Sequence, residues 1–287
     1  MKILACLSVI TLATTLVSCK DGKSGAAASN TVVLATADGL PKTGAKFTTS
    51  RTMAVKEGSV KISAGGQNMD GTMNLSDSET EDVEIAAPDK IKVTVTAGEK
   101  VQAMKLNGQE LPNEPVPPQL LKAPVTFTKA AGKWTGALDT GTPTDVQKAE
   151  IAKRERKFTQ AANAAMYGTA PRKVGETWSV DAARISFAEG TNDVKGSVTL
   201  TFKGIEDHGG RKCARLEGPM EFSGKTDADK GGQDLTMKGD IVVLRAIDEM
   251  VDLQTTFKGR MEMKGTIPGG SMAMEGSVSV DEHTELK

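Results

Sequence analysis

The chain has 287 residues, of which 36 are Lys or Arg and 37 are Asp or Glu, so its formal net charge at pH 7 is −1. A balance this close to neutral gives no overall attraction to nucleic acid, so we expect no nucleic-acid partner. Aromatic residues make up only 3% of the chain. This argues against a carbohydrate-binding surface, because such surfaces need aromatic faces on which sugars stack.

The first eighteen residues have the pattern of a secretory signal peptide. A single positive charge, Lys2, precedes an apolar run from Ile3 to Val17. That run is too short to remain in a bilayer as a spanning helix. We therefore expect residues 1–18 to be removed and the rest of the chain to be exported.

The stretch Leu16-Val17-Ser18-Cys19 resembles the lipobox of bacterial lipoproteins. The resemblance implies a diacylglycerol thioether and an N-acyl chain, such as palmitate, on Cys19. Several acyl chains would anchor the protein far more firmly than one. In lipoproteins of two-membrane bacteria, a residue other than Asp after the cysteine usually implies an outer-membrane location, and Lys20 fits that rule. The alternative is that Cys19 is a small residue at an ordinary cleavage site.

The cysteines leave no intramolecular disulfide to form. Cys6 belongs to the signal peptide and Cys19 is the predicted lipid site, so Cys213 stands alone. Its strand-like surroundings favour a small buried apolar residue over a reactive thiol.

The body of the chain is predicted to be mainly β, as a long antiparallel curved sheet or half-barrel. Residues 19–39 have no apolar periodicity and are interpreted as the lipidated cysteine and a flexible tether. Two β-rich halves follow at residues 40–142 and 169–287, separated by a helical segment at 143–168. The longest alternation runs from Val251 to Lys264 and predicts a strand with one buried and one wet face.

Turns and loops are placed by Gly and Pro. Hairpin turns are predicted at Asn107-Gly108, at His208-Gly209-Gly210 and at Pro268-Gly269-Gly270. The proline-rich stretch between Asn107 and Pro124 predicts a loop that crosses an edge or mouth of the sheet, because proline cannot pair in an interior strand. The acidic run from Asp77 to Glu84 is interpreted as a wet strand edge.

One helix is predicted at about residues 144–167. Thr144 can cap its start and Gly168 can end it. A narrow apolar stripe should face a sheet, while the basic side chains should face solvent or, alternatively, anionic lipid head groups. The stripe consists of Ile151, Phe158, Ala162 and Ala165, and the basic face is formed by Lys153, Arg156 and Lys157 with Gln160.

The segments 41–48 and 171–179 share one pattern: Pro, a basic residue, a spacer, Gly, two further residues, an aromatic residue and a hydroxyl residue. A duplicated β unit with the helix between its copies would explain the pattern. Chance similarity of so short a motif is the alternative.

A search for chemistry favours a protein that is not an enzyme. The two histidines, His208 and His283, are not in metal-binding or nucleophile-activating contexts, and no phosphate loop or nucleophile elbow is present. The acidic stretch 227–234 lacks the closing Glu of a calcium loop. We therefore expect no metal and no cofactor besides the lipid on Cys19.

Methionine recurs at same-face spacing on the strands near residues 237–274. Such a face can accommodate an apolar ligand of variable shape, or it can fill an irregular core. The candidate apolar ligand face comprises Met237, Phe257, Met261, Met263, Met272 and Met274.

Several short stretches are similar to uncharacterised β-rich lipoproteins of environmental bacteria: Gly-Lys-Trp at 132–134, Pro-Arg-Lys-Val-Gly-Glu-Thr-Trp at 171–178, and the segments 204–206 and 210–214. That likeness brings no known activity. More loosely, long antiparallel strands with one helix resemble the half-open barrels of periplasmic lipoprotein and lipid carriers. The resulting hypothesis is a membrane-anchored envelope lipoprotein that binds an apolar or lipidic ligand without catalysis. The alternatives are a structural or protein-interaction lipoprotein with a closed Met-rich core, and a hydrolase.

Overall fold

The structure is a computed structural model that describes residues 31–185, 191–226, 232–267 and 269–287. The predicted signal peptide, Cys19 and the tether up to residue 30 lie outside the described residues. So do residues 227–231, where the sequence only faintly resembles a calcium loop. The prediction of a flexible tether is wrong for residues 31–39, because Thr31–Val32 pairs with a second short strand and Leu34 and Ala35 are buried in the core.

Most of the described chain is in long strands. The first half contains β1 Thr31–Val32, β2 Lys46–Ala64, β3 Gln67–Ala87, β4 Lys90–Leu106, β5 Gln109–Glu110, β6 Val125–Ala130 and β7 Lys133–Leu138. The second half contains β8 Arg172–Lys173, β9 Thr177–Asp181, β10 Thr191–His208, β11 Arg211–Thr226, β12 Asp234–Ala246, β13 Val251–Ile267 and β14 Gly270–Leu286. The helices are α1 Asp145–Thr159, α2 Ala162–Tyr167 and a 3-10 turn at Ala182–Arg184. None of the helices in the described ranges is long and apolar enough to cross a membrane.

One curved, open antiparallel sheet of twelve strands contains every strand except β1 and β8, which pair with each other. Its order is β7-β6-β4-β3-β2-β14-β13-β12-β11-β10-β9, with β5 attached to β4. Two runs of consecutive neighbours therefore meet where β14 pairs with β2. The prediction of a mainly β fold with a long antiparallel curved sheet is confirmed.

Period-two sequence patterns set the two faces of this sheet. In β13, Val251, Leu253, Phe257 and Met261 are buried while the residues between them are more exposed. Phe257 is paired in register with inward residues of both neighbours, Ile241 on one side and Val280 on the other. The apolar positions of the alternating runs thus form one continuous inner face.

The inner face carries two main apolar cores. The larger core includes Phe202, Phe222 and Phe257 and extends over β10 to β14 and onto β2 and β3. The smaller core lies under α1 and includes Phe127, Trp134 and Ile151. The helix packs on edge strand β7, where the Glu155 side chain accepts a hydrogen bond from the Gly136 N–H.

The predicted start and end of the helical segment are confirmed. The prediction did not include the break within it. Thr144 caps α1 with a reciprocal capping box to Gln147, and Gly168 ends α2 with φ +73°. Between the two helices, Ala161 adopts the left-handed conformation with φ 47°. A single continuous helix was expected, whereas the chain changes direction at this residue.

The acidic run from Asp77 to Glu84 does not form a strand edge, so that interpretation is wrong. It lies in β3, which is hydrogen-bonded to β2 on one side and to β4 on the other. Its inward residues include Glu79 and Glu81, which meet a buried arginine described below.

The proline-rich loop does cover an edge, as expected. Beyond its short pairing with β6, β4 is flanked by this loop, and Lys100 and Val116 exchange backbone hydrogen bonds. The predicted two-residue turns are present at Asn107-Gly108, where φ is 47° and 83°, and at Gly209-Gly210, where φ is 60° and 80°.

The two similar segments form the same local turn. Gly44 and Gly175 have φ of 89° and 86°, and each lies in a turn closed by a backbone hydrogen bond, from Ala45 N to Lys42 O and from Glu176 N to Lys173 O. The strands that follow differ in position, because β2 is central and β9 is at an edge. Duplication of a whole β unit stays a prediction.

Candidate functional site

The six residues of the predicted apolar face lie on the inner face of three adjacent strands, β12 to β14. Register pairs join them directly: Met237 with Met261, and Met263 with Met274. Met237, Phe257, Met261 and Met274 are buried in the larger core. Whether they contact a ligand stays a prediction.

Burial decreases along this face toward the ends of the strands. Phe257 is fully buried, whereas Met263 and Met272 are only half-buried. Their neighbours in register are also apolar and half-buried, since Met263 pairs with Leu235 and Met272 pairs with Ile62. We call these four residues the apolar rim: Leu235, Met263, Met272 and Ile62.

A charged layer separates the apolar regions of the inner face. Arg154 of α1 points at β3, is 9% exposed, and donates hydrogen bonds to Glu81 at 2.5 Å and to Glu79 at 2.6 Å. Its Nε lies 3.7 Å from Glu150, one helical turn earlier. The helix is therefore fixed to the sheet by a partly buried ionic network as well as by apolar packing.

The two glutamates of this network titrate in opposite directions. Burial raises the pKa of Glu79, and the opposing attraction of Arg154 does not overcome it. Burial acts in the same direction on Glu81, but Arg154 and then Lys157 outweigh it, so the pKa of Glu81 is lowered. Glu81 is therefore the firmly ionised partner of Arg154.

A cavity of about 190 Å³ lies beside this network, between the helical segment and the sheet. The helix break at Ala161, the loop from Asp38 to Pro41, and Met250, which directly precedes β13, contribute to its lining. Asn163 holds the loop against the helix by donating a hydrogen bond to the Gly39 carbonyl at 3.1 Å. The left-handed conformation of Ala161 thus occurs at the wall of the cavity.

The cavity has an apolar and a polar part. Its apolar lining residues are Leu40, Phe47, Val83, Ile85, Ile91, Phe158 and Val251. Its polar lining includes Thr49, Glu81, Asp252, Glu282 and Thr284, with Lys157 and Asn163 from the helical segment. Thr49 and Thr284 are hydrogen-bonded to each other through their hydroxyl groups at 3.1 Å.

Glu282 differs from the other acids at this cavity. It projects from β14 between Thr255 of β13 and Arg51 of β2 in register. Its carboxylate has no hydrogen bond or ion pair with any residue in the ranges that the structure describes. Burial raises the pKa of Glu282; Lys157 and Arg51 counteract this effect, whereas Asp252 and Glu81 add to it.

In contrast to Glu282, Asp252 accepts hydrogen bonds with both of its carboxylate oxygens. One carboxylate oxygen accepts a hydrogen bond from Arg245, which is 1% exposed, and the other accepts one from the Tyr167 hydroxyl at 2.8 Å. The Arg245 guanidinium lies 4.3 Å from the centre of the Tyr167 ring. Burial and then the adjacent Asp252 raise the pKa of Tyr167 well above its usual value, so the phenol remains a donor.

No group of three potential ligating side chains is suited to a metal ion within the described ranges. His208 ends β10 at a hairpin and His283 is an exposed residue of β14 beside Glu285. Cys213 is fully buried, and burial raises the pKa of its thiol.

Sequence reasoning did not single out Arg154, Asp252 or Glu282 as site residues. A signal was present in β3, where Glu79 and Glu81 share a face with the apolar residues Val83 and Ile85. An inward pair of carboxylates needs a buried cation, and α1 was predicted to lie on the sheet and carries several basic residues. The polar positions at 252 and 282 carried no such signal, because each is a single residue in a long alternating strand.

No family model and no curated protein matches the sequence. Among solved structures, the chain is similar to lipovitellin, studied for its lipid–protein interactions, with a TM-score of 0.41 and 9% identity over 86% of this chain. The chain spans about a quarter of the length of that match, 26%.

Two bacterial proteins of known structure are matched by this chain over most of their own length. The translocator domain of the autotransporter NalP from Neisseria meningitidis gives a TM-score of 0.23 at 9% identity, covering 84% of this chain and 88% of the match. A DUF1329 family protein from Desulfovibrio piger gives a TM-score of 0.15 at 11% identity, covering 86% of each chain. All of these TM-scores are below 0.5.

Proposed function

We propose that this chain is a membrane-anchored lipoprotein of the bacterial envelope that binds an apolar or lipidic ligand without catalysis. The observation that supports the proposal best is the apolar rim, where the apolar inner face continues past the closed core. Four adjacent strands each place an apolar side chain there that is only half-buried. Half-buried apolar surface of this kind gains free energy when a hydrocarbon covers it.

The composition of the rim suits a ligand of variable shape. Met263 and Met272 are flexible and polarisable, so they can adjust to an acyl chain or a ring. Lys264 and Lys61 flank these positions on the opposite face of the same strands. Anchoring through Cys19 would keep this surface close to a membrane, which is the obvious source of such ligands.

A non-enzymatic role agrees with the polar groups that do converge beside the helix. The hydroxyls of Thr49 and Thr284 bond to each other, and neither is paired with a histidine within the described ranges. A hydroxyl nucleophile of the serine-hydrolase type needs a histidine base for activation, and no histidine is among the described residues that line this cavity.

The proposal is tested by native mass spectrometry of the full-length chain, purified gently from a bacterial envelope. We expect an apolar mass to co-purify with the wild type. The double variant Met263→Gln and Met272→Gln should lose most of that mass, because two amides at the rim oppose contact with hydrocarbon. A wild-type protein that carries no added mass and takes up no apolar fluorescent probe would overturn the proposal.

The matched control is the double variant Glu262→Gln and Ser271→Gln. These residues neighbour Met263 and Met272 in sequence but lie on the exposed face. The control should retain the wild-type amount of bound mass. Equal loss in both double variants would show that the effect comes from disturbing the strands and not from the rim.

The second candidate is a structural or protein-interaction lipoprotein with a closed Met-rich core. The burial of Met237, Phe257, Met261 and Met274 favours it. The same measurement separates the two candidates, because a closed core would leave the polypeptide bare in every variant.

A further inference from the structure

We propose that the cavity between the helical segment and the sheet binds a monovalent organic cation, an ammonium group carried on a short hydrocarbon body. This site is separate from the apolar rim, and the inference does not depend on a ligand being bound there. It is based on the walls of the cavity, on the one lining carboxylate that lacks a partner in the described ranges, and on the size of the space.

The charges at the cavity favour a cation. Four carboxylates contribute to its lining, and Lys157 is the one basic residue among the described residues that line it. Asp38 accepts hydrogen bonds from Thr36 and from the Leu40 N–H, and Glu81 and Asp252 are bound by arginines. Glu282 is left as the carboxylate with no bonded partner in the described part of the chain. An anionic ligand would lie beside this unpaired carboxylate and be repelled by its ionised form.

The electrostatic surroundings of Glu282 do not compensate its ionised form fully. Arg51, Lys157, Asp252 and Glu81 all act on it, and its pKa remains raised because burial is the largest effect. A bound ammonium ion would supply the missing positive charge at short range. Charge-assisted hydrogen bonds of this type are stronger than those between neutral groups.

The apolar part of the lining selects an organic cation over an inorganic one. Phe47, Val83, Ile91 and Phe158 offer hydrocarbon surface next to the carboxylate. No set of three ligating side chains suited to a metal ion exists in the described ranges. An alkylammonium ion would place its charge at Glu282 and its carbons against these side chains, which satisfies both parts of the cavity.

The volume limits the ligand to a small body or to one end of a longer one. The cavity measures about 190 Å³, and an apolar protein cavity of about 150 Å³ is large enough to bind benzene. A six-carbon amine is therefore a suitable probe. The loop at Gly39 and the break at Ala161 border the cavity, so access would pass between them.

The test is calorimetric titration of the full-length chain in lipid nanodiscs with hexylamine, hexan-1-ol and hexanoate, using empty nanodiscs as the blank. At about pH 8, where the amine is charged, hexylamine should bind at least about tenfold more tightly than hexan-1-ol, because a hydrogen bond to a charged group contributes more. Hexanoate should not bind. Equal affinity for the amine and the alcohol, or no binding of either, would overturn the inference.

The decisive variant is Glu282→Gln, which keeps the size of the side chain and removes its charge. It should weaken hexylamine binding about tenfold or more and leave hexan-1-ol binding unchanged. Its matched control is Glu285→Gln, which removes the same charge three residues away on β14, where the side chain is 77% exposed. If both variants bind hexylamine equally, Glu282 does not hold the ammonium group and the inference fails.

A second readout is the proton balance of binding. Because the pKa of Glu282 is raised in the free protein, an ammonium ligand that requires the ionised form should release a proton in the range where Glu282 titrates. Titrations in two buffers with different ionisation enthalpies measure that release. It should be present in the wild type and in Glu285→Gln and absent in Glu282→Gln.

The Met263→Gln and Met272→Gln double variant should bind hexylamine normally, which separates this site from the apolar rim.

Discussion

Arg154 contributes the most specific contact between α1 and the sheet. Its guanidinium is nearly buried and holds Glu79 and Glu81 of β3. Burial works to lower the pKa of Arg154, but Glu81 and then Glu79 overcome that effect and raise it, so the charge is permanent. Removing this one cation would leave two partly buried carboxylates without compensation.

We predict that Arg154→Met lowers the free energy of unfolding by about 2–3 kcal/mol near neutral pH, since breaking a partly buried pair leaves its partners uncompensated. The deficit should shrink in acid. The pKa of Glu81 is lowered in the folded state, so the stability that its ionisation contributes is present above its unfolded pKa and is lost as pH falls through its folded pKa. Urea unfolding at about pH 7 and about pH 3 measures both effects.

The control is Arg156→Met, two residues along α1, where the side chain is exposed. Its effect should stay within about 0.5 kcal/mol at either pH, as is usual for surface substitutions. A deficit in Arg154→Met that equals this control, or that grows in acid, would show that the ionic network does not stabilise the helix.

The residues of this network show how far sequence reasoning reaches at this scale. Apolar positions such as Phe257 and Val198 were placed correctly because their period is regular over many residues. Arg154 was not singled out, because Glu150, four residues earlier, offers it a partner on the same helix. Alternation in β3 places Glu79 and Glu81 on one face with Val83 and Ile85, but only the packing of α1 on the sheet shows that Arg154 is the cation that they meet.

The break between α1 and α2 forms part of the wall of the cavity. Ala161 occupies the position after the helix C-cap that glycine usually takes, because a side chain there is strained in the left-handed region. Its φ is 47°. The carbonyl of Ala161 also lies close to Gly39, where an added Cβ would approach it to 3.1 Å.

We predict opposite effects for two identical substitutions in this segment. Ala161→Gly should raise the free energy of unfolding by about 0.5–1 kcal/mol, because it relieves the left-handed strain. Ala152→Gly, in the middle of α1, should lower it by about 1 kcal/mol, because glycine disfavours a helix interior. Denaturant unfolding of the two variants measures the difference, and effects of the same sign would contradict the assigned conformation of Ala161.

The limits of α1 and α2 could be predicted from Thr144 and Gly168, but the break could not. Nothing in the run of alanines around Ala161 distinguishes a left-handed residue from a helical one. Distant packing accompanies the break, since the loop at Gly39 lies against Ala161 and accepts a hydrogen bond from the Asn163 side chain. Contacts between residues 39 and 163 are not encoded in a local pattern.

At the scale of the whole molecule, anchoring through Cys19 is the part of the proposal that rests on the lipobox resemblance. We predict that Cys19→Ala moves the protein from the membrane fraction to the soluble fraction, because the variant has no thiol to acylate. Fractionation with acyl labelling measures this outcome. The control is Cys213→Ala, which alters a buried cysteine of the folded body and should leave the protein on the membrane. An acyl-labelled, membrane-bound Cys19→Ala protein would refute the anchor.

The strands could be predicted from the alternation of apolar and polar residues, and the predicted hairpin turns indicated which strands are neighbours. The pairing of β14 with β2 could not be predicted in this way, because no short turn connects them. It extends over most of both strands, from Gly270 with Ala64 to Leu286 with Phe47. The sheet side of the cavity depends on this pairing, since the pairing brings Glu282 beside Arg51.

The pairing of β14 with β2 also has a consequence for biosynthesis. More than 200 residues separate these strands in the chain, which at about 5–20 residues per second corresponds to roughly 10–40 seconds of translation. During that interval, the edge of β2 that faces β14 in the finished sheet has no partner from its own chain. An uncovered strand edge invites pairing with other chains. A chaperone that occupies this edge during export would therefore act where the two runs of strands meet, between β2 and β14. It would not act at the outer edge strands of the completed sheet.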